Sequence, residues 1–285
     1  MGLKSCCATG SLHSGQPTGR IDKVHGLDCY IADAPNGPPK GIVVIIPDAF
    51  GWTFPNNRVL ADCYAKEGNF TVYLPEFMNG VILPPDLLDS MKAIQQPGLS
   101  LSKIPHIFYA MRTFLPFMFW CRPAACGPRI WSFLSSLKTN EASNLSIGTA
   151  GFCWGGKFVT QLCWDGAENR LKDGAQVTKC GFVAHPSFLT YPDDINKVEL
   201  PYAVAAAEND QQMSPEQAKQ TQATLKEKTE KGKAKGVEHE FVFYPGAHHG
   251  FAVRADEDDK EEAERGKQAE AQAVRWFQRW LASPA

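Results

Sequence analysis

The chain is 285 residues long, 44% hydrophobic and 21% charged, with a formal net charge of -2. That balance excludes a disordered or fibrous protein, and with Lys and Arg scattered along the chain it shows no nucleic-acid footprint. Nine cysteines are too dispersed for a secreted disulfide scaffold, and residues 1–16 hold no apolar signal core, so a cytoplasmic location is expected.

No run suits a membrane span; the nearest, 104–120, is broken by Pro105, His106, Arg112 and Pro116. The opening Met1-Gly2-Leu3-Lys4-Ser5-Cys6-Cys7 comes near an acylation signal but has Cys6 where Ser or Thr is required. It is read as a plain lead-in, and Cys6, Cys7 and His13 lack a fourth ligand at metal-site spacing.

Apolar, β-branched runs alternate with amphipathic stretches, which predicts a mostly parallel sheet with helices on both faces. The run 42–47 (IVVIIP) reads as a strand buried on both sides, followed by a helix over 58–67 and a strand over 70–74. The segment 84–138 breaks the alternation and mixes Phe108, Phe114, Phe117, Phe119, Trp120 and Phe133 with prolines. As a whole it is read as a lid or pocket-wall insertion, or a dimer contact, while core is the plainest reading of any single aromatic. Strands follow at 147–152, 181–184, 202–207 and 240–244, with helices at 156–164, 215–230 and 261–281. In the last helix Ala269, Ala273, Trp276, Phe277, Trp280 and Leu281 recur every three or four residues, so one face packs on the sheet. Residues 1–285 are read as one domain.

The sharpest signal is Gly151-Phe152-Cys153-Trp154-Gly155-Gly156, after one strand and before one helix. It is the nucleophile-elbow pattern with Cys in place of Ser. A strand-to-helix turn this tight strains the nucleophile and admits only small neighbours, which accounts for the glycines. The helix N-terminus then favours thiolate. A given Cys has roughly a 0.5% chance of Gly at both positions, and nine together about 4%. An inert cysteine in a chance turn is therefore the weaker reading, and the chain contains no Gly-x-Ser-x-Gly.

A thiol needs a base, and the elbow architecture orders its residues nucleophile, acid, histidine. Of the histidines after Cys153, His239 opens a charged strand and is read as a surface residue. His185, before Pro186, either lines the site or plays a hydrogen-bonded structural part. His248 and His249 lie in a turn-rich loop after the 240–244 strand, where a base belongs, and spacing does not choose between them. The acid should end a strand, which nominates Asp210 or Glu208; Asp193 and Asp194, read as surface turn residues, rank second.

Gly-x-Cys-x-Gly-Gly at 151–156, Glu-Asn-Asp at 208–210 and Tyr-Pro-Gly-x-x-His-Gly-Phe at 244–251 together resemble the dienelactone hydrolase (carboxymethylenebutenolidase) family. The stretch 45–51 (IIPDAFG) looks like that family's strand and loop with an acidic residue beside the nucleophile, and His185-Pro186-Ser187 also recurs there. The likeness runs over 26–280, and the N-terminal cysteine pair is similar to eukaryotic members. It implies an α/β-hydrolase fold with Cys153 as nucleophile, Asp210 as triad acid and His249 as base. It also implies oxyanion donors from the Ala49 and Trp154 N–H groups. Asp48 stands where bacterial members carry Glu, as partner of the resting thiol. Phe50, His185 and Arg254 are substrate-pocket candidates, with a surface arginine as the alternative for Arg254.

The implied activity is hydrolysis of a small ester or lactone through a thioester, since an amine leaves less readily than a thiolate. No cofactor or metal is called for. The partner is the small-molecule substrate, and the chain is expected as a monomer or homodimer. The alternatives are a thioesterase or peptidase on the same fold, a non-catalytic scaffold that binds a small ligand or partner, and a redox-responsive thiol protein.

Overall fold

The computed structural model describes residues 11–96, 98 and 100–282. The readings of Cys6 and Cys7 fall outside them. Strands β1 (Arg20–Val24), β2 (Leu27–Ala32), β3 (Ile42–Ile46), β4 (Thr71–Pro75), β5 (Ile147–Phe152), β6 (Cys180–Ala184), β7 (Tyr202–Asn209) and β8 (His239–His248) form one sheet. Their order is β1-β2-β4-β3-β5-β6-β7-β8. Pairings from β4 to β8 are parallel, and β1–β2 and β2–β4 are antiparallel.

The helices are α1 (Pro55–Gly68), α2 (Leu87–Gln95), α3 (Lys103–Trp120), α4 (Pro123–Thr139), α5 (Trp154–Leu162), α6 (Asp193–Asn196), α7 (Pro215–Gly232), α8 (Phe251–Arg254) and α9 (Lys260–Leu281). Every residue of β3, β5 and β6 is buried, as a sheet covered on both faces requires. On one face α9 sets Phe277 against Phe70 and Phe182 and packs beside α1. On the other, α4 sets Phe133 against Tyr73 and Phe77, and Trp131 against Phe158 of α5.

Three differences from the sequence reading have physical causes. The β1–β2 hairpin has no apolar run to announce it, because β1 is a sheet edge with four of its five residues exposed. Its turn is His25-Gly26, both at positive φ, the geometry a two-residue hairpin loop demands. Strand β8 continues past Tyr244 to His248, since Pro245 costs no ladder bond at a sheet edge. Segment 84–138 divides: α4 buries Ile130, Phe133, Leu134 and Leu137 as an ordinary crossover helix, whereas α2 and α3 pack on one another. Within α3, Phe117 is core, but Phe108, Phe119 and Trp120 are exposed.

Candidate active site

Strands β3 and β5 are neighbours, but the chain leaves β3 toward β4 on one side and leaves β5 toward β6 on the other, so their loops part at the carboxyl ends of this pair. That is the switch point where open α/β sheets hold ligands. The register Ile46↔Gly151 brings the loop after β3, with Asp48 and Ala49, beside Cys153 at the end of β5. Asn209↔His248 in the β7–β8 pairing does the same for Asp210 and His249.

Cys153 sits between β5 and α5 at φ 48° and ψ -109°, a strained conformation for a residue with a side chain. The neighbouring glycines are sterically required. A Cβ on Gly155 would lie 1.9 Å from the Ile46 carbonyl oxygen, and one on Gly151 would lie 2.7 Å from that of Gly155. The strap after β6 clamps the turn: Cys153 N–H donates to the Ala184 carbonyl at 3.3 Å, and Ser187 N–H donates to the Cys153 carbonyl at 2.9 Å.

His249 Nδ1 is 2.9 Å from each Asp210 carboxylate oxygen, and both side chains are buried. Burial is the largest influence on the imidazole and would lower its pKa. The Asp210 carboxylate and the Cys153 sulfur, each through charge and a hydrogen bond, outweigh it and hold His249 well above its usual range. His248 is exposed, because the register shift between Ala207 and Asn209 in the β7–β8 pairing changes the phase of β8 after Tyr244. Glu208 is exposed and accepts the Gly246 N–H instead. Asp194 is not a surface residue: it is buried and paired with Lys157 at 2.6 Å.

Ser187 Oγ lies 3.3 Å from Cys153 Sγ and 3.4 Å from His249 Nε2. The sequence marked it only as part of a recurring motif; its signal is a hydroxyl just past a buried strand end, after a proline. Trp154 opens α5, so its N–H is one of the donors a helix leaves free at its start. The Ala49 carbonyl takes the Leu83 N–H at 2.9 Å, and among the described residues the Ala49 N–H has no backbone acceptor.

Asp48 is fully buried. Its carboxylate accepts from Phe50 N–H at 3.2 Å, Asn57 Nδ2 at 3.0 Å and the Arg254 guanidinium. Burial pushes this carboxyl up, Arg254 pulls it back, and the nearby Cys153 sulfur adds to the rise. Arg254 is therefore no surface arginine: it is fully buried, with its guanidinium 5.1 Å from the centroid of the Phe50 ring. His185 is also fully buried, its ring edge-on to His249 at 4.9 Å. Burial, then the charges of His249 and Arg254, hold its imidazole well below the usual range. Neither of its ring nitrogens has a hydrogen-bond partner among the described residues, so the structural bond read for it is not made.

Among the described residues no group of three His, Cys, Asp or Glu side chains could hold a metal ion. Beside the elbow, Phe117, Met118, Cys121, Trp154, Phe158 and Phe188 line a mainly apolar crevice of about 100 Å³, with Arg122 and Lys157 at its edge.

A mostly parallel eight-stranded sheet with helices on both faces, and an elbow after its central β5, defines an α/β-hydrolase. The model of the dienelactone hydrolase family matches residues 27–281, and the chain belongs to that family. It is a carboxylic ester hydrolase, acting on esters or lactones. Hydrolase pyvD of Aspergillus violaceofuscus is 25% identical over 279 residues, 97% of this chain and 96% of its own. The human carboxymethylenebutenolidase homolog is 27% identical over 243 residues, 84% of this chain and 82% of its own. A crystal structure of dienelactone hydrolase from Anabaena variabilis shares the fold with a TM-score of 0.55 at 14% identity, covering 94% of this chain and 100% of that one.

Proposed function

We propose that Cys153 is the nucleophile of a Cys-Asp-His triad that hydrolyses a small ester or lactone by two-step acyl transfer. The observation that carries this reading is the buried Asp210–His249 contact at 2.9 Å, beside a thiol at the strained elbow. The thiolate attacks the carbonyl carbon, and the oxyanion takes hydrogen bonds from the Ala49 and Trp154 N–H groups. The carbon–oxygen bond to the leaving group breaks, and the alkoxide takes the proton from His249 Nε2. A thioester remains. Water then gives its proton to His249 as it attacks, the carbon–sulfur bond breaks, and the acid leaves.

Asp210 holds the imidazole in one tautomer and stabilises its cation. Asp48, through Arg254 and Asn57, fixes the loop that carries Ala49 and acts on the resting thiol through its charge. The crevice beside Trp154 takes the acyl chain. A reducing, cytoplasmic setting fits the seven free cysteines of the described residues.

The test is hydrolysis of p-nitrophenyl acetate and a small enol-lactone by wild type, Cys153→Ser and His249→Ala, with iodoacetamide labelling mapped by mass spectrometry. Both variants should lose at least about a thousandfold in kcat/KM, and Cys153 should label fastest. Unchanged turnover in the variants, with Cys153 labelling no faster than Cys63 or Cys180, would leave the elbow structural and the chemistry elsewhere.

A further inference from the structure

The fold leaves one helix face over. Leu101, just ahead of α3, and Ile104, Phe108, Met111, Leu115 and Phe119 within it are 55% to 83% exposed. Their spacing of three and four residues makes one stripe along the 18-residue helix, while Ala110 and Phe117 face the protein. Ile107 widens it, and Trp120 is exposed at the end of the helix with its ring against Phe119. Monomeric proteins seldom leave a contiguous apolar patch beyond a few hundred Å². A seam for one partner helix needs only two positions in seven, and this face is broader.

Charge identifies what covers it. The near-neutral total conceals a long stretch, 90–140, that contains Lys92, Lys103, Arg112, Arg122, Arg129 and Lys138 and no acidic residue, in a chain with 31 of them. Arg112 is exposed on α3, and Arg122 lies just past its end with its guanidinium 4.7 Å from the Phe119 ring centroid. No residue of α3 is acidic, and the Asp86 carboxylate that meets it accepts from the Tyr109 hydroxyl at 2.8 Å, so the exposed Arg112 and Arg122 are left to meet a negatively charged bilayer.

We propose that α3 is a peripheral membrane-docking face. Its apolar stripe lies in the headgroup–acyl boundary of a bilayer containing anionic phospholipid, and Arg112 and Arg122 meet the lipid phosphates. Phe119 and Trp120 sit where aromatic rings favour an interface. The helix lies along the surface: among the described residues none is long and apolar enough to cross. The docking face is independent of the chemistry at Cys153.

The test is co-sedimentation with vesicles of phosphatidylcholine and phosphatidylserine in equal parts, beside vesicles of phosphatidylcholine alone. Wild type should pellet with the mixed vesicles, less with phosphatidylcholine, and less in high salt. Phe108→Glu with Leu115→Glu should cut the bound fraction at least about tenfold while turnover of a water-soluble ester stays at wild type. Ile21→Glu, at an exposed apolar residue of β1, should bind as wild type does. The proposal is overturned if wild type stays in the supernatant, if binding ignores phosphatidylserine, or if the double variant binds equally. It is also overturned if sedimentation velocity shows a dimer that the double variant splits, since a second copy would then cover α3.

Discussion

Ser187 Oγ lies within hydrogen-bonding range of both Cys153 Sγ, at 3.3 Å, and His249 Nε2, at 3.4 Å. A hydroxyl has one proton to give and lone pairs to receive. It donates to a thiolate while accepting from an imidazolium, which favours the charged form of that pair over the neutral one. Ser187→Ala should therefore raise the pH midpoint of Cys153 alkylation by up to about one unit, as one hydrogen bond is worth about 1 kcal/mol. Iodoacetamide rates against pH, read on the Cys153 peptide, measure it. An unmoved midpoint would reduce Ser187 to packing.

His249 titrates well above its ordinary value in the folded chain, so it links stability to pH. A base whose folded pKa is raised contributes stability that is complete below the unfolded value, about 6.5, and lost as pH rises through the folded pKa. The Tm of wild type should exceed that of His249→Gln most near about pH 6, and the gap should narrow toward about pH 9. Thermal unfolding across that range decides the matter. A gap that stays level or widens with pH means the resting imidazole is neutral.

The centre of the sheet and the elbow were legible because their constraints are local. Continuous burial writes itself as IVVII in β3, and the Ile46 carbonyl 1.9 Å from a Cβ on Gly155 allows no residue but glycine there. The choice of His249 over His248 rested on the family's motif, because alternation from the buried Tyr244 would turn His248 inward. The register shift opposite Ala207 and Asn209 reverses that phase, leaving His248 exposed and His249 buried. What composition concealed was long-range. Arg254 reads as a surface residue until the fold brings it across 206 positions to Asp48, and an arginine buries only where such a partner waits. The β1–β2 hairpin stayed hidden because an exposed edge carries no apolar period.

The Asp48–Arg254 pair has no solvent exposure at either side chain. In such a place, removing one charge costs more than the pair contributes, since the other is left uncompensated in a low dielectric. Asp48→Asn should lower unfolding free energy by about 3–5 kcal/mol. The double variant Asp48→Asn, Arg254→Met should be less destabilised than the sum of the single changes. Urea unfolding of the two single variants and the double variant gives the coupling. Additive losses would mean that the two side chains stabilise the fold separately and that their contact is incidental.

The crevice of about 100 Å³ beside Trp154 makes a quantitative claim about substrate choice. Each methylene that leaves water for an apolar wall is worth about 0.8 kcal/mol, or roughly a factor of four. If the acyl chain enters the crevice, p-nitrophenyl butyrate should exceed the acetate in kcat/KM by about tenfold. Met118, half-buried at its wall, can be enlarged without touching the triad. Met118→Trp should erase the butyrate advantage and leave acetate turnover within about twofold, because a filled crevice still leaves room at the carbonyl. A Met118→Trp enzyme that keeps its preference for butyrate would place the acyl chain elsewhere, and equal loss on both esters would mean that the new ring has disturbed the oxyanion site at Trp154.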